Sequence, residues 1–129
     1  MRIADTSFLF AFYHESDLKH QKAVELMKLY EKDGVLISDY ILGETATLLL
    51  YRNSLEASLT FIKKAQETQT VKILKFSEPD FEGILEVFKN QKHEIGFIDA
   101  SVVYLARTMG LDILSFDGNM WEEIKLSNI

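Results

Sequence analysis

A chain of 129 residues with 47% hydrophobic content is the size of one domain around one core, and no composition shift divides it, so a single domain over 1–129 is expected. With 20 acidic against 14 basic residues the net charge is −6, which excludes a broad basic face that holds nucleic acid by phosphate neutralisation alone. The absence of cysteine excludes disulfides, thiolate zinc sites and cysteine nucleophiles together, and fits a reducing cytoplasm, where the protein is expected.

The chain opens on "RIAD", a short β-type run. The apolar stretch around it, "MRIADTSFLFAFY", carries Asp5 early and meets His14, Glu15 and Asp17 well short of the ~20 residues of a membrane span, so it reads as core and no membrane association is expected. "SDLKHQKAVELMKLYEKDG" places Ala23, Met27 and Tyr30 on one helical stripe with Leu26; Ser16 or Asp17 is positioned to cap its start and Gly34 to follow its end. After the strand "VLIS" come two helical patterns that form a hairpin, "SDYILGETATLLLYRN" and "SLEASLTFIKKAQETQ". The second has Leu55, Leu59, Ile62 and Ala65 on a stripe behind a Ser54 cap. "VKILKF" is the third strand. "SEPDFEGILEVFKNQK" follows with a capping box of Ser77 and Asp80, Pro79 in its first turn, and an apolar set of Phe81, Ile84, Leu85 and Phe88. "DASVVYLARTMG" is a helix that Asp99 opens and Gly110 closes, and "DILSF" is the fourth strand.

These strand runs show little polar alternation, which suits strands buried on both faces. Their alternation with helices argues for an α/β fold, a three-layer α/β/α sandwich on a parallel sheet, because parallel pairs need a crossover and a helix supplies it. In such sheets ligands bind beyond the carboxyl ends of the strands, where strand order reverses.

Four acidic residues fall where that edge should lie: Asp5 ends "RIAD", Glu44 lies about a turn and a half into the helix after "VLIS", Asp99 opens the apolar helix, and Asp117 follows "ILSF". Taken singly, each aspartate reads as a helix cap and Glu44 as a solvated border residue. Taken together, carboxylates at one rim repel unless a cation lies between them, and a hard divalent ion such as Mg2+ or Mn2+ takes oxygen ligands, keeps several waters and binds a substrate phosphate. Such a site activates water, polarises the phosphoryl oxygens and stabilises the leaving oxygen, which is phosphodiester hydrolysis. Zinc is not expected: His14 and His20 lack i, i+4 spacing and His93 stands alone. "DTSF" after the first strand is no glycine-rich dinucleotide turn, and "ADTS" lacks the second aspartate of haloacid dehalogenase-type phosphatases.

In their order and spacing, "ADTS", "ILGET", "IDAS" and "SFDGNM" carry a resemblance, nearly end to end, to the PIN-domain nucleases, most closely the VapC-type toxin ribonucleases of toxin–antitoxin modules. The resemblance implies a sheet of about five parallel strands, the fifth from "EIKLSNI". It implies that Asp5, Glu44, Asp99 and Asp117 are the catalytic residues and hold Mg2+ or Mn2+, with Thr6, Ser7 and Ser115 as small hydroxyl positions that orient carboxylates or bind phosphate. It further implies an RNA substrate, a small antitoxin as partner and a homodimer. The apolar surface of "ETATLLLYRNSLEASLTFI" is a candidate for either protein contact, or else the core of the helical hairpin. One departure is that basic residues often follow the last aspartate in the family, whereas Gly118, Asn119 and Met120 follow Asp117 here. The acidic chain also leaves dispersed bases such as Lys19, Lys22 and Arg52 to make local phosphate contacts. The other readings are a binding or assembly module of this fold without catalysis, and a PIN nuclease in RNA processing.

Overall fold

Four short apolar runs become strands: Arg2–Ala4 (β1), Val35–Ser38 (β2), Val71–Leu74 (β3) and Ile113–Leu114 (β4). In the computed structural model, which describes residues 1–126, they pair in parallel in the order β3-β2-β1-β4. Ile3 is opposite Leu36 on one side and Ile113 on the other, so β1 is internal. Ile3, Ala4, Val35, Leu36, Ile37, Ile113 and Leu114 are buried, as expected of strands covered on both faces; full burial stabilises by about 1.5–3 kcal/mol for each large aliphatic side chain. β3 departs from that expectation. It is an edge strand, and Val71, Ile73 and Leu74 are only half-buried.

The helices are α1 (Thr6–Tyr13), α2 (His20–Tyr30), α3 (Asp39–Arg52), α4 (Leu55–Glu67), α5 (Glu78–Lys89), α6 (Phe97–Met109) and α7 (Gly118–Lys125). The chain moves outward from β1 to β2 to β3, then jumps back past both to place β4 on the free side of β1. The right-handed rule for parallel crossovers puts the helices of the return connection on the face opposite those of the outward ones, which completes the three layers. Accordingly α1 packs on α2 and α3, α3 on α4, and α5 on α6. The reversal point lies between β1 and β4.

Several local expectations shift. α2 begins at His20, behind Lys19, because Asp17 uses its carboxylate on the Lys19 N–H at 2.8 Å within the preceding turn and does not cap the helix. Gly34 ends a 3-10 turn, Glu31–Asp33, with a φ of 87° that favours glycine. The guanidinium carbon of Arg2 lies 3.5 Å from the Tyr30 ring centroid and ties the end of α2 to the start of β1. "EIKLSNI" was expected to be a fifth strand, but Glu123–Lys125 are the last turn of α7, whose Met120 and Glu123 are buried; residues 127–129 lie outside the described residues. No helix among the described residues is long and apolar enough to cross a membrane.

Candidate functional site

Segments about 110 residues apart meet at the carboxyl ends of β1 and β4. Asp5 is 2% exposed. Its Oδ1 accepts from the Phe8 N–H at 2.9 Å, which caps α1, and from Ser7 Oγ at 2.8 Å; its Oδ2 accepts from Ser115 Oγ at 2.5 Å. Each of these hydroxyls also accepts a backbone N–H: Ser7 Oγ from Phe116 at 2.9 Å and Ser115 Oγ from Asp117 at 2.9 Å. A hydroxyl that donates to a carboxylate and accepts from the backbone has no free rotor, so the Asp5 carboxylate is held on both oxygens. Asp117 in turn accepts from the Met120 N–H at 3.2 Å and caps α7. Thr6, the third expected hydroxyl, does not join this network: its Oγ1 is buried without a hydrogen-bond partner.

Asp99 does not open its helix. Gly96 is the N-cap, Phe97 the first helical residue, and Asp99 the third, reaching back to accept from the Gly96 N–H at 3.2 Å. One carboxylate oxygen is engaged there, and the side chain is only half-buried. Glu44 lies half-buried on α3, the helix that Ser38 caps directly after β2 through the Ile41 N–H at 3.2 Å.

Electrostatics links the four acids. Burial raises the Asp5 carboxyl from 3.8 to about 6 although Ser115, Phe8 and Ser7 donate to it, and the charge of Asp99 pushes it the same way. Asp99 is raised by burial first, against the Gly96 N–H, and then by the charges of Asp117 and Glu44. The fold therefore brings Asp5, Glu44, Asp99 and Asp117 within electrostatic reach around Asp99. Among the described residues none of the four is in an ion pair. Nor do three of the described His, Asp or Glu side chains converge closely enough to cage an ion by themselves. The donor set the four acids offer is wholly hard oxygen, the kind that suits a hard divalent ion.

A further acid escaped the sequence reading. Glu123, 2% exposed, accepts the Lys92 N–H at 2.8 Å and the His93 N–H at 2.7 Å, while Arg107 donates to the Glu123 carbonyl at 2.8 Å. Burial pushes its carboxyl up, but the two backbone donors, the His93 ring and Arg107 outweigh it and hold the group below its ordinary value. This clamp fixes the segment that leads into Gly96 and Asp99. Its only sequence signal is a glutamate on the apolar stripe of the last helix.

A comparison with curated proteins finds no match. Among solved structures the chain is similar to VapC20 from Mycobacterium tuberculosis, described as a toxin cleaving the Sarcin-Ricin loop, with 25% identity, a TM-score of 0.85, and 95% of this chain and 94% of that one covered. VapBC2 from Rickettsia felis, solved with a DNA fragment from its promoter, aligns at 13% identity and a TM-score of 0.72 over 95% of this chain and 92% of that one. FitAcB from Neisseria gonorrhoeae aligns at 15% and 0.68 over 100% and 94%. At those identities the latter two show the fold alone. The PIN domain model matches residues 2–125, which span all four acids and every described strand, and the chain belongs to the PIN domain family.

Proposed function

We propose that the protein is a metal-dependent endoribonuclease and the toxin of a toxin–antitoxin pair, acting in the cytoplasm, with Asp5, Glu44, Asp99 and Asp117 holding Mg2+ or Mn2+. The observation that carries this reading is the convergence of unpaired carboxylates around Asp99, two of them raised by burial and mutual repulsion. The likeness to VapC20 at 25% identity supports RNA as the substrate and the toxin role. The bound ion would supply a Lewis acid for the scissile phosphate and a more acidic water. Asp5, clamped by Ser7 and Ser115, offers a fixed oxygen; Asp99 and Asp117 each keep one oxygen away from their capping bonds; Glu44 is a ligand or takes the proton of the attacking water. Leu50, Tyr51, Leu55 and Leu59 are exposed at the hairpin of α3 and α4, and they are the surface proposed for the antitoxin or for a second copy of the chain.

The other reading, a module of this fold without catalysis, is favoured by the lack of three converging ligands. Calorimetric titration of Mn2+ into the stripped protein and into Asp99→Asn, with RNA cleavage followed alongside, separates them. The nuclease reading expects saturable binding and cleavage by wild type, with both lost in the variant. Absence of binding by either protein, or cleavage by Asp99→Asn at the wild-type rate, overturns the assignment.

A further inference from the structure

An acidic pocket that takes a phosphodiester needs positive charge beside it for the neighbouring phosphates, which the ion at the centre does not reach. The start of α7 supplies none, since Asp117 is followed by Gly118 and Asn119. Across the rim, Lys19 places its Nζ 5.9 Å from the ring centroid of Phe116, the residue between Ser115 and Asp117. That ring is itself fixed, tilted against the buried Phe8 at 6.0 Å, and the Phe116 N–H donates to Ser7 Oγ. Lys19 is exposed and belongs to none of the ion pairs among the described residues.

Its backbone is held from both sides. Asp17 Oδ1 accepts the Lys19 N–H at 2.8 Å, the Lys19 carbonyl accepts from Ala23 at 2.9 Å, and the ring of the next residue, His20, donates from Nδ1 to the Ala11 carbonyl at 2.7 Å. Asp17 thus spends that oxygen on the backbone and leaves the ammonium group without a carboxylate partner. The result is an anchored main chain carrying a flexible, unpaired cation over the wall of the acidic pocket.

Resting on the nuclease reading, we propose that Lys19 is a phosphate-binding residue that holds a backbone phosphate of single-stranded RNA flanking the one to be cut, entering from the α2 side of the pocket. Binding of a fluorescently labelled single-stranded oligoribonucleotide, measured by anisotropy in the Asp99→Asn background between about 50 and 200 mM salt, tests it. Lys19→Ala is expected to weaken binding across sequences and to reduce the slope of log affinity against log salt by about 0.7, the signature of one lost phosphate contact on a single strand. Lys19→Arg should restore most of the slope, and Lys28→Ala, in the last turn of the following helix, should leave it unchanged. Melting temperatures of the three variants should match their parent, since both lysines are exposed. A parental slope in Lys19→Ala, or an equal loss in Lys28→Ala, overturns the assignment of Lys19 and leaves the nuclease reading standing. If the parent itself shows no salt-dependent binding, the assignment of Lys19 falls, and the nuclease reading is judged separately by cleavage in the wild type.

Discussion

Asp5 is more deeply buried than its three companions, and burial outweighs three hydrogen bonds in setting its affinity for a proton. Its carboxyl rises from 3.8 to about 6, so between those values the folded chain binds more protons than the unfolded one, and stability falls as pH rises through the window. The full effect, two pK units, is about 3 kcal/mol lost by neutral pH. Thermal melts of stripped protein from about pH 4 to about pH 7 should show wild type falling more steeply than Asp5→Asn; identical profiles would remove Asp5 as the source. The aspartates show why single residues were half legible. Asp5 and Asp117 do cap helices, as their type and position suggest, and they also turn a carboxylate to the common rim. Asp99 looked like a third cap, because the glycine that takes that role three residues earlier offers no side chain to recognise. The hydroxyls of Ser7 and Ser115 were visible as residue types, but their bridge from β1 to β4 depends on a pairing no local pattern states.

At the scale of elements, capping chemistry and burial were each readable in part. Ser54 and Ser77 cap α4 and α5, and Asp80 closes the expected capping box. The apolar stripe of α2 holds, with Ala23 and Met27 buried, but those of α4 and α5 hold only in part. In α4 the buried residues are Ser58, Phe61 and Ala65, while Leu55 and Leu59 stay exposed. In α5 Ile84 is buried, whereas Phe81 and Phe88 remain partly exposed around Phe97. Periodicity counts apolar residues, but the face that turns inward is chosen by the partner: Ser58 faces in because its hydroxyl donates to the Ala46 carbonyl at 2.7 Å on α3. α5 meets α6 through a similar close approach. A Cβ on Gly83 would lie 2.3 Å from the Tyr104 ring, whose hydroxyl donates to Asp80 at 2.7 Å. Gly83→Ala should therefore lower stability in urea by about 1–3 kcal/mol, despite the ~1 kcal/mol that alanine offers a helix. Unchanged or higher stability would show that the ring swings aside at no cost.

For the molecule as a whole, the class and parallel sheet were legible because short apolar runs separated by amphipathic segments admit few other arrangements. The strand order was not, and neither was the helical fate of Glu123–Lys125, where the resemblance implied a strand and the last turn of α7 instead buries Glu123 against the His93 loop. A net charge of −6 adds diffuse repulsion to the local repulsion around Asp99. Simple screening would relieve the first; an ion held at the pocket relieves both. MgCl2 or MnCl2 is thus expected to raise the melting temperature by several degrees more than NaCl of matched ionic strength, since an ion at a hundred times its dissociation constant adds about 2.7 kcal/mol. Equal shifts in the two salts would reduce the effect to screening.

The bond from Ser115 to Asp5 spans 110 residues of sequence. Synthesis delivers Asp5 first, yet its fixed orientation depends on a hydroxyl made 110 residues later. The clamp on Asp5 therefore comes into being only once β4 has been made and pairs with β1, however early Asp5 itself is delivered.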